Sequence, residues 1–378
     1  MVLTPVSQLK PGDCLENDVH TMLGGVLMHK GRMLSVRDLD VLDAFSIKSV
    51  AIVGDSEAAQ AKISAAAAVD CSAARISEPT VDAPKRKDHV HSAENIGFVE
   101  AWMQMVNLLK NVYHTLGTSK IPILELRQQM EWLLDCSKDY SPIISHPQIK
   151  VLQQGDMTEY LYHKSIAVAL TSYLLGQWSS FPAKEGMQIA LAGLLHDIGK
   201  AKVDADIWNK KGSLTERERV EMRRHTHYGY ELLRNVPALN DGVKLAALQH
   251  HERMDGSGYP LGIKGEQIHP YAKIVAIADM FHAMTQNRVY QKASSPFVVL
   301  EQLNEESFGK LNPELVQIFI HKVTQMHQGA FVKLSDGRVG RIVFTESGQP
   351  TRPWVSADGQ IIQLVQERHI WIDEVIGR

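Results

Sequence analysis

The feature that most restricts the fold is a stretch from about Ala93 to Met326 in which apolar residues recur three and four positions apart. AWMQMVNLLKNVYHTL (101–116) and ELRQQMEWLLDCS (125–137) show it plainly, and this period marks helices that bury one face. The stretch therefore predicts an all-α bundle, whose core is filled by side chains from facing helices. Ionisable residues inside such helices become the informative ones, because burying them without a partner is costly.

Several stand out. Met187–Leu195 (MQIALAGLL) runs apolar into His196-Asp197-Ile198-Gly199-Lys200, which sets two metal-competent side chains at the end of a buried helix. In a chain with 17 histidines one such dipeptide arises easily by chance, so its partners decide the matter. Glu159 and His163 in EYLYH are four apart and share a helix face. His225 and His227 follow in RRHTHYGYELL, then His250, His251 and Glu252 in LQHHERMDGSGYP. Asp279 lies in the apolar helix KIVAIADMFHAM, where burial would raise its pKa unless a metal offsets the desolvation. Imidazole and carboxylate together select Zn, Fe, Mn, Co or Ni over Ca, and the absence of thiolates argues against a structural zinc. Adjacent helical residues diverge by about 100°, so His250 and His251 are expected to serve different ions or a bridged pair. Two or three ions follow from that reading.

The ends of the chain differ in character. Residues 1–54 alternate short strand signals with Lys10-Pro11-Gly12 and Gly24-Gly25, with a short helix from about Ser35 to Ala44 before the β-branched Ile47–Val53, and predict a small α/β module. Residues 55–93 are rich in Ala, Ser, Asp and Lys and read as a linker, ahead of a helical domain over 94–326. In 327–378, Asp336-Gly337 between AFVKL and VGRIVF predicts a β-hairpin and a short β appendage. A net charge of −3 gives no bulk attraction to long nucleic acid or to an anionic membrane. The N-terminus lacks a cationic start followed by an apolar run, and no apolar run is long enough to span a bilayer. Cys14, Cys71 and Cys136 are scattered rather than paired, with Cys136 read as core. A cytoplasmic protein is expected.

HDIGK at 196–200, HTHYG at 225–229, HHERMDGSGYP at 250–260 and the apolar helix with Asp279 together resemble the HD-GYP family of cyclic di-GMP phosphodiesterases, in order and in spacing, over roughly residues 95–325. The resemblance implies an HD-domain helical bundle, mainly α. Its metal ligands would be His163, His196, Asp197, His225, His250, His251 and Asp279, with Glu159 as the extra carboxylate of members that look trinuclear. Asp197 would bridge two ions, Fe or Mn. His196, Asp197 and Lys200 would be the catalytic residues, with Lys200 and Arg288 meeting substrate phosphate. The loop DGSGYP, with Gly256 and Gly258 free to adopt unusual backbone angles, would bring Tyr259 and Pro260 beside the substrate. Departures are also visible: His225 is followed by Thr226 where the family writes proline, His282 precedes Ala283 where it writes aspartate, and Gln291 stands where it carries Arg or Lys. Residues 1–54 look like the small module ahead of some HD-GYP domains, regulatory or dimerising in role.

The reaction implied is metal-assisted hydrolysis of cyclic di-GMP to linear pGpG, carried on to GMP if Glu159 holds a third ion. Cyclic di-GMP is the expected ligand, and a second copy of the chain, a diguanylate cyclase or another signalling protein the expected partner. The competing expectation is a member that binds cyclic di-GMP or a protein without turnover. His227 and His282 are expected to stand outside the ligand set.

Overall fold

The computed structural model describes residues 90–137 and 157–377, apart from 118, 211 and 286–293, together with most of 2–52. The expected helix at 35–44, the linker, Cys71, Arg288 and Gln291 fall largely or wholly outside the described residues. Eleven helices are described, with nine strands in three small sheets.

Four strands stand near the N-terminus: β1 (Val2–Pro5), β2 (Val19–His20), β3 (Val26–Met28) and β4 (Ser49–Ile52). β1 pairs antiparallel with β4, and β2 with β3, over a small apolar cluster that includes Leu9, Leu15, Leu34, Leu42 and Val50.

The bundle runs from α1 (Val90–Thr115) and α2 (Ile123–Cys136) through α3 (Met157–Trp178) and α4 (Ala183–Leu195). A 3-10 turn, Ile198–Lys202, leads to the short helices α5 (Ala205–Trp208), α6 (Glu216–Arg223), α7 (His225–Leu233) and α8 (Asp241–Gln249). α9 (Pro270–Thr285), α10 (Pro296–Glu306) and α11 (Pro313–Met326) complete it. Their starts are written locally: Thr215 and Glu218 form a reciprocal capping box on α6, while the Asn240 and Asn312 side chains accept from Val243 N–H and Leu315 N–H. α4 is buried on every side from Ile189 to Leu195, which makes it the axis of the bundle. α3 packs along it, and α7, α8 and α9 close around its C-terminal end.

The C-terminal strands are β5 (Phe331–Leu334), β6 (Val339–Phe344), β7 (Trp354–Ala357), β8 (Gln360–Gln363) and β9 (Ile372–Gly377), in the order β8-β7-β6-β5-β9. β5 and β6 form the hairpin expected around Asp336-Gly337, with Val332 opposite Gly340. Alternate residues Val332, Leu334, Ile342 and Val355 face a separate apolar cluster that Phe297 of α10 joins. Arg352 adds an ion pair to Glu301 of the same helix. Among the described residues no helix is long and apolar enough to cross a membrane.

Candidate metal centre

The end of α4 carries the centre. His196 is its C-cap, fully buried, and donates its Nδ1–H to the Gly193 carbonyl at 2.7 Å. A carbonyl only accepts, so the proton sits on Nδ1 and Nε2 faces inward. Two more histidines are held the same way: His225 Nδ1 donates to Met222 O at 2.6 Å and His250 Nδ1 to Ala246 O at 3.0 Å. Such backbone tethers fix ring orientation in metal sites.

Asp197 follows His196 into the 3-10 turn, and Gly199 sets its depth. A Cβ at residue 199 would collide with the His225 carbonyl oxygen and the Gly229 amide nitrogen, so only glycine lets this turn rest directly on α7. That contact brings Asp197 Oδ1 to 3.3 Å from His225 Nε2 and 3.8 Å from His250 Nε2. Oδ1 is buried with no hydrogen-bond partner. The two Nε2 atoms stand 3.3 Å apart. Burial holds His225 down to about 4, and burial with the neighbouring imidazoles holds His250 and His251 well below the usual histidine range. All three rings are neutral near pH 7.

Among the described residues, two groups bring ligand atoms within 4.8 Å of one another: Asp197, His225, His250 and His251, and His196, Asp197 and Asp279. They share Asp197 through different oxygens. His196 Nε2 lies 3.1 Å from Asp197 Oδ2 and 3.2 Å from Asp279 Oδ1. Burial disfavours its imidazolium, but the two carboxylates outweigh that and raise its pKa to about 9.

The remaining occupant of the second group was not foreseen from the sequence. Lys164 of α3 is buried, with Nζ 2.9 Å from Asp197 Oδ2 and 2.6 Å from Asp279 Oδ1. Lys200 Nζ reaches the same Asp197 Oδ2 at 2.7 Å. Burial alone would raise the Asp279 carboxyl, as the sequence suggested; the Lys164 ammonium and His196 instead hold it well below the carboxylate range. His163, one residue earlier, turns about 100° away and accepts from Trp102 Nε1 at 2.7 Å. Glu159 pairs with Lys110 of α1 at 2.5 Å. Neither joins the two groups. His282 bonds Thr171, and His227 is exposed.

α8 ends at Gln249, so His250 and His251 leave the helix rather than continuing it. Their rings approach to 4.1 Å and share one group, where continued helix would have splayed them. The following loop folds back over them. Tyr259 stacks on His251 with ring centroids 4.7 Å apart, and the Arg223 guanidinium lies 5.0 Å from the Tyr259 ring centre. Buried Glu252 holds the loop, its Oε1 accepting from Leu261 N–H at 2.6 Å and Gly262 N–H at 3.2 Å. Gly256 has the positive φ of 83° that its loop position suggested. Gly258 is needed for a different reason: a Cβ there would meet Glu252 Cα and the His251 carbonyl at 2.5 Å. Pro260 follows at the exposed rim.

Residues 151–315 match the HD domain family. A cyclic di-GMP phosphodiesterase of Pseudomonas aeruginosa is 34% identical over 209 residues, 55% of this chain and 50% of that one. Residues 151–315 thus carry an HD domain. A cyclic di-GMP phosphodiesterase of Thermotoga maritima is 43% identical over 136 residues, covering 35% of this chain and 36% of that one. A 3'3'-cGAMP-specific phosphodiesterase of Vibrio cholerae is 37% identical over 139 residues, covering 36% of this chain and 32% of that one. The chain thus spans half the length of the first of these relatives and about a third of the other two.

The residues of this HD domain fit a transition-metal ion. Neutral imidazole nitrogens and an unpartnered carboxylate oxygen converge in a buried space, and without a cation their lone pairs repel. Lys164 and Arg223 are the side chains that sequence reasoning missed. The signal for the first was present: a lysine inside LYHKSIAVAL, a run apolar enough to be buried, requires a buried anionic partner. Nothing local in RRHTH points Arg223 at a tyrosine far along the chain.

Proposed function

We propose that this chain hydrolyses the phosphodiester of a cyclic dinucleotide, cyclic di-GMP first, with a divalent transition-metal ion, Fe or Mn, held by Asp197, His225, His250 and His251. The observation that carries the reading is the unpartnered Asp197 Oδ1 facing tethered imidazole nitrogens beneath the Tyr259 loop. Relatives whose names specify cyclic di-GMP and 3'3'-cGAMP support the substrate class. When bound, such an ion supplies Lewis-acid charge to a phosphoryl oxygen and lowers the pKa of water.

The chain's own groups do the rest. Lys200, partly exposed while it donates to Asp197, is placed to donate to a phosphate oxygen at the mouth of the site. Tyr259, its phenol kept neutral by burial and the nearby carboxylates, is fixed between His251 and Arg223, and its hydroxyl is assigned to hydrogen-bond the substrate. Arg223 adds positive charge beside it, and Arg288, outside the described residues, is assigned the same role. Linear pGpG is the first product. Three separate apolar clusters support a division into an N-terminal module, the HD-GYP domain and the β appendage.

A second reading, binding without turnover, is favoured by the ammonium of Lys164 inside the second ligand group. Product analysis separates the two. The chain loaded with Mn(II) or Fe(II) is incubated with cyclic di-GMP and with 3'3'-cGAMP, beside an Asp197→Asn control. Linear product from the wild type, with loss of about 10–100-fold or more in the variant, is expected, as for removal of a metal-site partner. Ligand bound but never cleaved would replace the hydrolase reading by the binding one.

A further inference from the structure

The two groups at the end of α4 differ in what they lack. In the first, Asp197 Oδ1 has no partner and the imidazole lone pairs converge on open chemistry. In the second, nothing is lacking: Asp197 Oδ2 and Asp279 Oδ1 already share the Lys164 ammonium, at 2.9 and 2.6 Å. His196 Nε2 lies 3.1 and 3.2 Å from the same two oxygens. Asp197 Oδ2 carries Lys200 as well, at 2.7 Å.

We infer that Lys164 is a built-in cation standing in the second ligand group, so that this HD-GYP domain holds one metal ion, at Asp197 Oδ1, His225, His250 and His251, and not two or three. The inference rests on the metal-centre reading above. A carboxylate oxygen has two lone pairs, and Asp197 Oδ2 already accepts from two ammonium groups. An ion entering the second group would have to displace both from a buried space where like charges are poorly screened.

Lys164 has no other place to go. Its side chain is 7% exposed, and a buried ammonium persists only where anions surround it. No other ligand from α3 compensates, since His163 is turned to Trp102 and Glu159 to Lys110. The lysine is thus a positioning residue. By holding Oδ2 it aims Oδ1 at the three imidazoles, and it neutralises the charge that a second ion would otherwise balance.

Metal content tests this independently of turnover. The full chain is stripped with chelator, reloaded with Mn(II), freed of excess, and its manganese counted by mass spectrometry, with electron paramagnetic resonance as a second readout. One Mn(II) per chain with the spectrum of an isolated ion is expected for the wild type. Lys164→His should hold twice as much, with the signal broadened by coupling between neighbouring ions. The shorter imidazole extended by a metal–nitrogen bond of about 2.0–2.1 Å reaches about as far as the ammonium does. Two Mn(II) in the wild type overturns the inference, as does Lys164→His remaining at one with circular dichroism and melting unchanged. If that variant does not fold, the wild-type count decides alone. No bound manganese in the wild type overturns the metal centre itself, and the inference with it.

Discussion

Lowering the pH of the metal-stripped protein from 7.5 to 5.5 should cost it about 4 kcal/mol of stability through three buried histidines. Burial holds His163 and His225 at about 4 and His282 at about 3, against an ordinary value of 6.5. For a base depressed in the folded state, stability is complete above the unfolded pKa and falls as pH drops below it, because only the unfolded chain takes up the proton. One unit below 6.5 each group loses about 1.4 kcal/mol, and the folded forms are still almost unprotonated at pH 5.5. His196 runs the other way: its pKa is raised to about 9, so its contribution is complete below 6.5 and fades between 6.5 and 9. Over the step from pH 7.5 to 5.5 it therefore gains about 1.3 kcal/mol and offsets about a third of that loss. Urea unfolding followed by circular dichroism at half-unit pH steps measures the effect. The substitution His282→Gln, which keeps a side-chain partner for Thr171, should remove about 1.4 kcal/mol of the loss. Stability that stays flat between pH 7.5 and 5.5 would refute the reasoning, since it requires those rings to be protonated or exposed in the folded chain.

Two further outcomes follow from the geometry. Gly199→Ala forces a methyl group against the α7 backbone and should cost on the order of 1–3 kcal/mol, lowering the melting temperature and weakening Mn(II) binding together; weakened folding with unchanged Mn(II) affinity would separate the turn from the centre. Glu252→Ala leaves the Leu261 and Gly262 amides without their acceptor, at about 1–3 kcal/mol, and frees the loop that presents Tyr259. KM for cyclic di-GMP should rise while metal content stays constant, and a parallel loss of metal would place Glu252 among the ligands instead.

The bundle, the C-terminal hairpin and the candidate ligands could be read in the chain because each is a local pattern. Helical period, an Asp-Gly turn and ionisable residues interrupting apolar runs need only neighbours in sequence. So His196, Asp197, His225, His250, His251 and Asp279 could be named without a structure, and the fold brings all six to one end of α4.

What the tertiary structure alone decided depends on angle and on distant partners. Residues 163 and 164 differ by one step on α3, and that step of about 100° turns His163 to Trp102 and Lys164 into the centre. The sequence held both side chains but not the phase of the helix against α4 and α9. The same limit applies to Asp197, whose two oxygens receive opposite neighbours, lone pairs on one and ammonium groups on the other. It applies equally to Gly258, needed for backbone contact rather than for φ. Each is settled by which surfaces meet, and helices far apart in the chain choose those surfaces by burying their apolar faces together.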